Sequence, residues 1–361
     1  MFHIKTQLRR LYTVSALSSF QIAGASWVAL LAARGFSLVE IGVAEGVFHV
    51  ASLLFEIPSG VISDVFGRKK SMVLSQCMFL LAALVMAFSN SFWGGCAALV
   101  LDAMGYNFAS GAREALAYDS LKSVGQEDGY LDFSSKEYSI YRIGQASAIL
   151  CAGLALWMGH RRAYLLDAAL GLVCLWCALR LTEVQTEERQ FSGTISRRIL
   201  DCFRETFGFL KNSGASLKLM LWNSLVGAAA TLTIFFLQAR LQETSLPQGL
   251  LGPALFVVSL GGALGARLSV KTAKWNYKRL SLLCVSAVIL GVVCSKTPFA
   301  LLLCLGGFAA GLCDDMLQVR TDAILNDRFP SSQRATLVSV SSLCFSLVMI
   351  LLSPLAGWFF S

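Results

Sequence analysis

Eleven stretches of this chain are each long and apolar enough to cross a lipid bilayer, and that repetition leaves few folds open. A spanning helix needs about 20 mainly apolar residues. Such runs occupy 11–33, 38–62, 70–90, 92–121, 137–158, 163–182, 217–240, 249–270, 278–295, 298–326 and 332–360. In hydrocarbon each backbone amide and carbonyl must find its partner inside the protein, so spanning segments of this length are helices. The expected fold class is an all-α polytopic membrane protein with 11 predicted transmembrane helices. Charge content agrees, because 14% of the residues are Asp, Glu, Lys or Arg, against about 25% in soluble domains.

The formal charge of +8 is explained by where the cations lie, and no nucleic-acid partner is expected. With the amino terminus in the cytoplasm, 21 of the 30 Lys and Arg fall in inner connections and five in outer ones: Arg34, Arg161, Arg162, Arg240 and Lys296. That asymmetry sets the orientation. The first apolar run is long enough to span and shows no small-residue cleavage site, so no cleavable signal is expected. The cysteines sit almost all inside apolar runs, and Cys174 with Cys177 reads as packing rather than redox or zinc chemistry. No metal site or cofactor is expected.

The stretch 183–216 is the one long polar connection. It divides the chain into an amino-terminal six-helix bundle, 1–182, and a carboxy-terminal bundle of five helices, 217–361. Within the linker Ile195, Ile199, Phe203, Phe207 and Leu210 recur at helical spacing opposite Arg197, Arg198, Arg204 and Lys211. The pattern fits an amphipathic helix on the inner membrane surface or a solvated linker helix. A weak repeat relates the halves: SGAREALAYDSLK (Ser110 to Lys122) and QVRTDAILNDRFP (Gln318 to Pro330) both close a segment with Arg, Asp and small residues.

Glu56 to Lys70, EIPSGVISDVFGRKK, joins the second and third segments. Here Gly60 would let helices approach closely, Gly67 would allow a turn closed to other residues, and Arg68, Lys69 and Lys70 suit an inner surface. The run from Gly60 to Lys69 resembles the G-x-x-x-D-x-x-G-R-K signature of the major facilitator superfamily. The resemblance implies two pseudo-symmetric bundles around a midplane site, twelve helices and a monomer. Only eleven segments are present, so either the sequence is truncated or the protein lacks the twelfth helix and ends outside. By the same resemblance Asp64 lies near the start of the eleventh helix, around Ser331 to Thr336, and Arg68 pairs with Asp119. Together they would latch the cytoplasmic side. The alternative is a loop that only sets topology.

Polar residues inside the spans mark candidate pathways. Glu45, His49, Ser52 and Glu56 share one stripe of the second helix. His49 could exchange a proton with Glu45 one turn away, or could simply bridge two helices. Asp102 and Asn107 of the fourth helix, Asn223 of the seventh, and Asp314 with Asp315 of the tenth are further candidates for proton or substrate contact. Adjacent acids point about 100° apart, so one of the last two would face the pathway. Arg113 and Glu114, with Arg142 as a third member, read as a structural ion pair.

The resemblance implies a secondary transporter of the cell membrane working by alternating access, with a small-molecule solute and protons as partners in the bilayer. The acidic candidates and the GAREALAYDSL run, similar to efflux-type bacterial members, favour proton-coupled efflux of a small amphipathic or cationic solute. The alternatives are import of a sugar or organic anion, or a non-transporting scaffold. A membrane-embedded enzyme is disfavoured, because D-D-x-x-D, H-x-x-x-x-D and H-E-x-x-H are all absent.

Overall fold

The computed structural model describes residues 3–184, 197, 200, 204, 208, 214–272, 274–328 and 334–361. The predicted amphipathic linker helix, with Ile195, Ile199, Phe203, Phe207 and Leu210, lies outside the described residues. All regular structure among the described residues is helical. Among the described residues eight helices are long and apolar enough to cross a membrane, or nine if a pair bent by 50° after Leu150 counts as one.

The first segment is broken into α1 (Ile4–Ser19), α2 (Ile22–Ala25) and α3 (Trp27–Ala33). The second and third are α4 (Leu38–Phe66) and α5 (Arg68–Phe88). The turn between them is thus a single residue, shorter than the sequence suggests, and Pro58 sits inside α4. The fourth segment is α6 (Phe92–Ala109) and α7 (Ala112–Lys122), parted at Gly111, whose φ of 70° is left-handed. The fifth is α8 (Tyr130–Leu150) and α9 (Ala152–Met158), and the sixth is α10 (His160–Leu179). Among the described residues five α-helices follow: α11 (Gly214–Arg240), α12 (Leu251–Lys271), α13 (Tyr277–Cys294), α14 (Ala300–Arg328) and α15 (Arg334–Phe360).

The chain forms two compact units. Unit 1 comprises Met1–Ala25, Ala51–Ala148 and Met158–Arg204. Its core joins Leu11, Met72, Leu116, Phe133 and Cys174 from five helices with Leu181 just beyond the end of α10, so the C-x-x-C cysteines serve as core packing. Cys174 Sγ also contacts the Val14 carbonyl at 3.5 Å.

Unit 2 comprises Ser26–Val50, Ile149–Trp157 and Glu205–Ser361. Here α14 packs along α11, α12 and α13. Small residues let these helices meet backbone to backbone: a Cβ at Gly261 or Gly265 would strike the carbonyls of Phe308 or Leu312. Two further contacts use the same device. A Cβ at Gly42 on α4 would strike the Ser353 carbonyl on α15, and one at Gly357 would strike the Leu38 carbonyl. A Cβ at Gly252 would strike the Leu150 carbonyl. In hydrocarbon such close approach replaces the missing hydrophobic drive with dispersion and weak carbonyl contacts.

Candidate functional site

Three polar clusters stand out, and each lies within one unit. The first, in unit 1, surrounds the start of α5. Gly67 has φ 109° and ψ 148°, a conformation effectively reserved for glycine. Its amide continues the α4 ladder to the Ser63 carbonyl at 3.1 Å. The freed amides of the next turn are met by Glu183, whose carboxylate accepts from Arg68 N at 3.1 Å and Lys69 N at 2.9 Å. An anion there also complements the helix dipole. Arg68 Nη1 then donates to Asp119 Oδ2 at 2.6 Å, with the Asp119 side chain 7% exposed and that of Arg68 21%.

Two other members of the signature behave differently. Gly60 is exposed, and a Cβ added there meets nothing within 4 Å, so it mediates no close helix approach among the described residues. Asp64 is exposed, and its predicted partner segment, Ser331 to Thr336, lies outside the described side chains.

Next to this cluster, Arg113 pairs with Glu114 at 3.1 Å and Glu137 at 3.2 Å, and Glu137 accepts from Ser15 Oγ at 2.5 Å. The third member of the ion pair is thus Glu137, not Arg142. Arg142 is satisfied on its own helix: its Nε donates to Tyr138 Oη at 2.9 Å, and its guanidinium lies 5.1 Å from the Tyr138 ring centre.

The second cluster, in unit 2, is built on α4. Glu45 and His49 are each 7% exposed, and the i,i+4 spacing brings Glu45 Oε1 within 3.3 Å of His49 Nε2. The other ring nitrogen, Nδ1, lies 3.3 Å from Ser346 Oγ on α15. The edge of the ring meets Phe345, with centroids 5.7 Å apart. An imidazole bracketed by a carboxylate and a hydroxyl has an acceptor for either tautomer and for both protons of the cation. One helical turn further, in unit 1, the Asn107 amide donates to the Ser52 carbonyl at 2.7 Å and accepts from its hydroxyl at 3.1 Å. Asn107 therefore ties α6 to α4. Asp102 is half-buried on α6.

The third cluster, also in unit 2, lines a cavity of about 350 Å³ at the Arg328 end of α14. Asn223, Gln318, Thr321, Asp322, Ser341 and Phe345 face it. Asn223 donates to Gln318 and accepts from Thr321 Oγ1 at 3.0 Å, while Gln318 Nε2 reaches both Asp322 oxygens at 3.1 and 3.0 Å. Asp314 and Asp315 diverge as adjacent helical residues must: Asp314 abuts Gly227 of α11, and Asp315 abuts Gly262 of α12. Among the described residues no group of three or more His, Cys, Asp or Glu could hold a metal ion.

Sequence reasoning missed Glu183, Glu137, Gln318 and Asp322. Glu183 closes the sixth segment at a spacing that announces nothing, and its role depends on a helix start more than a hundred residues upstream. Gln318 and Asp322 share an i,i+4 stripe on α14 with Asp314 at the preceding turn. That stripe was the available signal.

Repeated apolar spans, helices packed through glycine, and buried polar clusters on those helices are the features of a polytopic helical membrane protein. The chain belongs to the Major Facilitator Superfamily, whose family model matches residues 11–298. It is 21% identical over 341 residues to the uncharacterized MFS-type transporter YxaM of Bacillus subtilis, covering 92% of this chain and 84% of that protein. Shorter matches are more similar. The inner membrane transport protein YajR of Escherichia coli is 30% identical over 87 residues, covering 24% of this chain and 19% of YajR. An uncharacterized transporter of Buchnera aphidicola is 37% identical over 54 residues, 15% of this chain and only 14% of that protein. Among solved structures, a mutant form of the nucleoside transporter NupG shares the fold with a TM-score of 0.78 at 16% identity, over 96% of this chain and 90% of that one. A D-xylose-proton symporter gives 0.69 at 11% identity, over 97% and 87%. The family and these relatives are transporters, not enzymes.

Proposed function

We propose that this protein is a secondary active transporter of the cell membrane, with its amino terminus in the cytoplasm, that moves a small solute by alternating access and couples it to protons. The observation carrying the reading is the Glu45–His49–Ser346 cluster. It supplies an imidazole that can take up and release a proton, buried in a spanning helix and bracketed by partners for both of its ring nitrogens. The Arg68–Asp119 pair, with Glu183 at the start of α5, forms the cytoplasmic latch that engages when the transporter faces outward. The two bundles bounded by the 183–216 linker are its moving parts.

The cavity beside Asn223 indicates the solute. Amide, hydroxyl and one carboxylate group around an aromatic ring suit a small ring-shaped molecule with several hydroxyl or amine donors. Nucleosides and pentoses have that chemistry, and the solved neighbours carry a nucleoside or D-xylose. Import by proton symport is therefore the favoured direction. Asp322 in the cavity lining and the half-buried Asp314 two turns away on α14 support a second reading, efflux of a cationic amphipathic solute, because carboxylates near a cavity attract cations. A thermal-stabilisation screen of purified protein separates the two. Nucleosides or pentoses should raise the melting temperature, and Asn223→Ala should abolish the effect. Stabilisation by cationic amphiphiles alone would support efflux, and stabilisation by neither class would remove the cavity from the account.

A further inference from the structure

The first spanning segment is interrupted where its own sequence gives no reason for a break. Phe20 and Gln21 separate α1 from α2, and neither is proline or glycine. The cause lies on α10. Asp167 Oδ1 accepts the Ile22 amide at 2.9 Å, and Oδ2 accepts the amides of Ala23 at 2.9 Å and Gly24 at 3.0 Å. In an unbroken helix those amides would donate to the carbonyls of Ser18, Ser19 and Phe20. One carboxylate has displaced three helical acceptors.

The rest of the break is built around this exchange. The last turn of α1 is closed by its own hydroxyls, with Ser18 donating to Ser15 O at 3.3 Å and Ser19 to Ala16 O at 3.0 Å. Gly144 of α8 abuts the Ser19 hydroxyl, so α8 packs directly on the interruption. Asp167 is 4% exposed and lies about 10 Å along α10 from its His160 end. Its charge is met by amide dipoles rather than by a cation: among the described residues it forms no ion pair. Among the described residues α10 packs most extensively on α5, α1 and α2. The short helix α2 has no ionisable residue. Those on α1 are Lys5, Arg9, Arg10 and Tyr12, those on α5 are Arg68, Lys69, Lys70 and Cys77, and those on α10 itself are His160, Arg161, Arg162, Tyr164, Cys174 and Cys177. The hydrogen bonds of Asp167 run to the three amides instead.

We propose that Asp167 is a proton-coupling residue of the transport cycle, holding helix 1 broken as a carboxylate and releasing it to rewind when protonated. A proton from the aqueous phase binds Oδ2 and turns an acceptor of two hydrogen bonds into a hydroxyl donor. The Ala23 and Gly24 amides then return to the Ser19 and Phe20 carbonyls, and the course of helix 1 beyond the break changes. Loss of the proton to the opposite aqueous phase restores the break, so no other reactant is needed. The assignment rests on the proton-coupled reading above and adds to it a site on the sixth spanning segment.

The test uses the purified full chain between about pH 5 and about pH 8, with infrared difference spectroscopy of the carboxylic-acid carbonyl stretch and hydrogen–deuterium exchange of the peptide over residues 20–26. In the wild type an acid band should appear on acidification that Asp167→Asn lacks. Protection of the peptide, corrected for intrinsic exchange, should change about tenfold, the equivalent of about one net hydrogen bond. Asp167→Asn should make protection independent of pH, and Asp167→Glu should restore the dependence. A folded Asp167→Asn variant with an unchanged acid band would overturn the proposal. So would pH-invariant protection in the wild type, which decides the matter even where the asparagine variant does not fold. Proton-driven flux with a silent Asp167 faults this assignment alone, whereas a titrating Asp167 with proton-independent flux faults the coupled-transport reading.

Discussion

Alanine substitution at the two glycines of the signature should have opposite effects. At Gly67 the backbone stands at φ 109° and ψ 148°, where a side chain costs about 1–3 kcal/mol. The new Cβ would also lie 2.5 Å from Glu183 Oε2. That carboxylate is the end of a flexible side chain and can withdraw, so the clash becomes loss of the α5 cap, about 1 kcal/mol. Gly67→Ala should therefore destabilise by about 2–4 kcal/mol in total. Gly60 sits inside α4 with nothing among the described residues within 4 Å of an added Cβ, and there alanine should stabilise by roughly 0.5–1 kcal/mol through helix propensity. The assay is unfolding of purified protein in mixed micelles, followed for both variants and for Glu183→Ala. A double-mutant cycle isolates the shared term: Gly67→Ala with Glu183→Ala should fall short of the summed single effects by about 1 kcal/mol, because the cap is lost only once. Equal destabilisation at both glycines, or additivity between Gly67 and Glu183, would mean that neither the positive φ nor the Glu183 cap sets the stability of this turn.

Asp119→Ala should destabilise by about 2–3 kcal/mol, since it strands Arg68 beside a largely buried site; Asp119→Asn should lose less, and unfolding in micelles measures both. Gly42→Leu would drive a side chain into the Ser353 carbonyl and should part α4 from α15, which thiol labelling of a cysteine introduced at Gly46 would report as faster modification. In the cavity, Asp322→Asn or Gln318→Ala should weaken a bound nucleoside or pentose by about tenfold per hydrogen bond removed, read by calorimetry.

What could be read from the sequence divides along physical lines. Hydropathy over some twenty residues is a local property, so the second, third, sixth to ninth and later segments emerge close to their observed ends: 70–90 became Arg68–Phe88 and 278–295 became Tyr277–Cys294. Gly67 was legible because a positive φ at a one-residue turn is a demand of the backbone itself. Gly60 was not, since its reading assumed a neighbour that the described residues do not supply. The break in helix 1 had no local signal, because its cause is Asp167, far away in sequence. The same holds for Glu183 at the α5 start and Glu137 beside Arg113. An i,i+4 pair such as Glu45 and His49 can be found by counting, whereas the Ser346 hydroxyl that completes it belongs to another helix.

Uptake of labelled nucleoside or pentose into vesicles containing the purified protein, under an imposed proton gradient, decides whether this protein couples solute movement to protons. Accumulation beyond the external concentration, abolished by a protonophore and by His49→Gln, is the expected result. Flux that only ever equilibrates the solute, with the same rate in the presence or absence of the gradient, would contradict it.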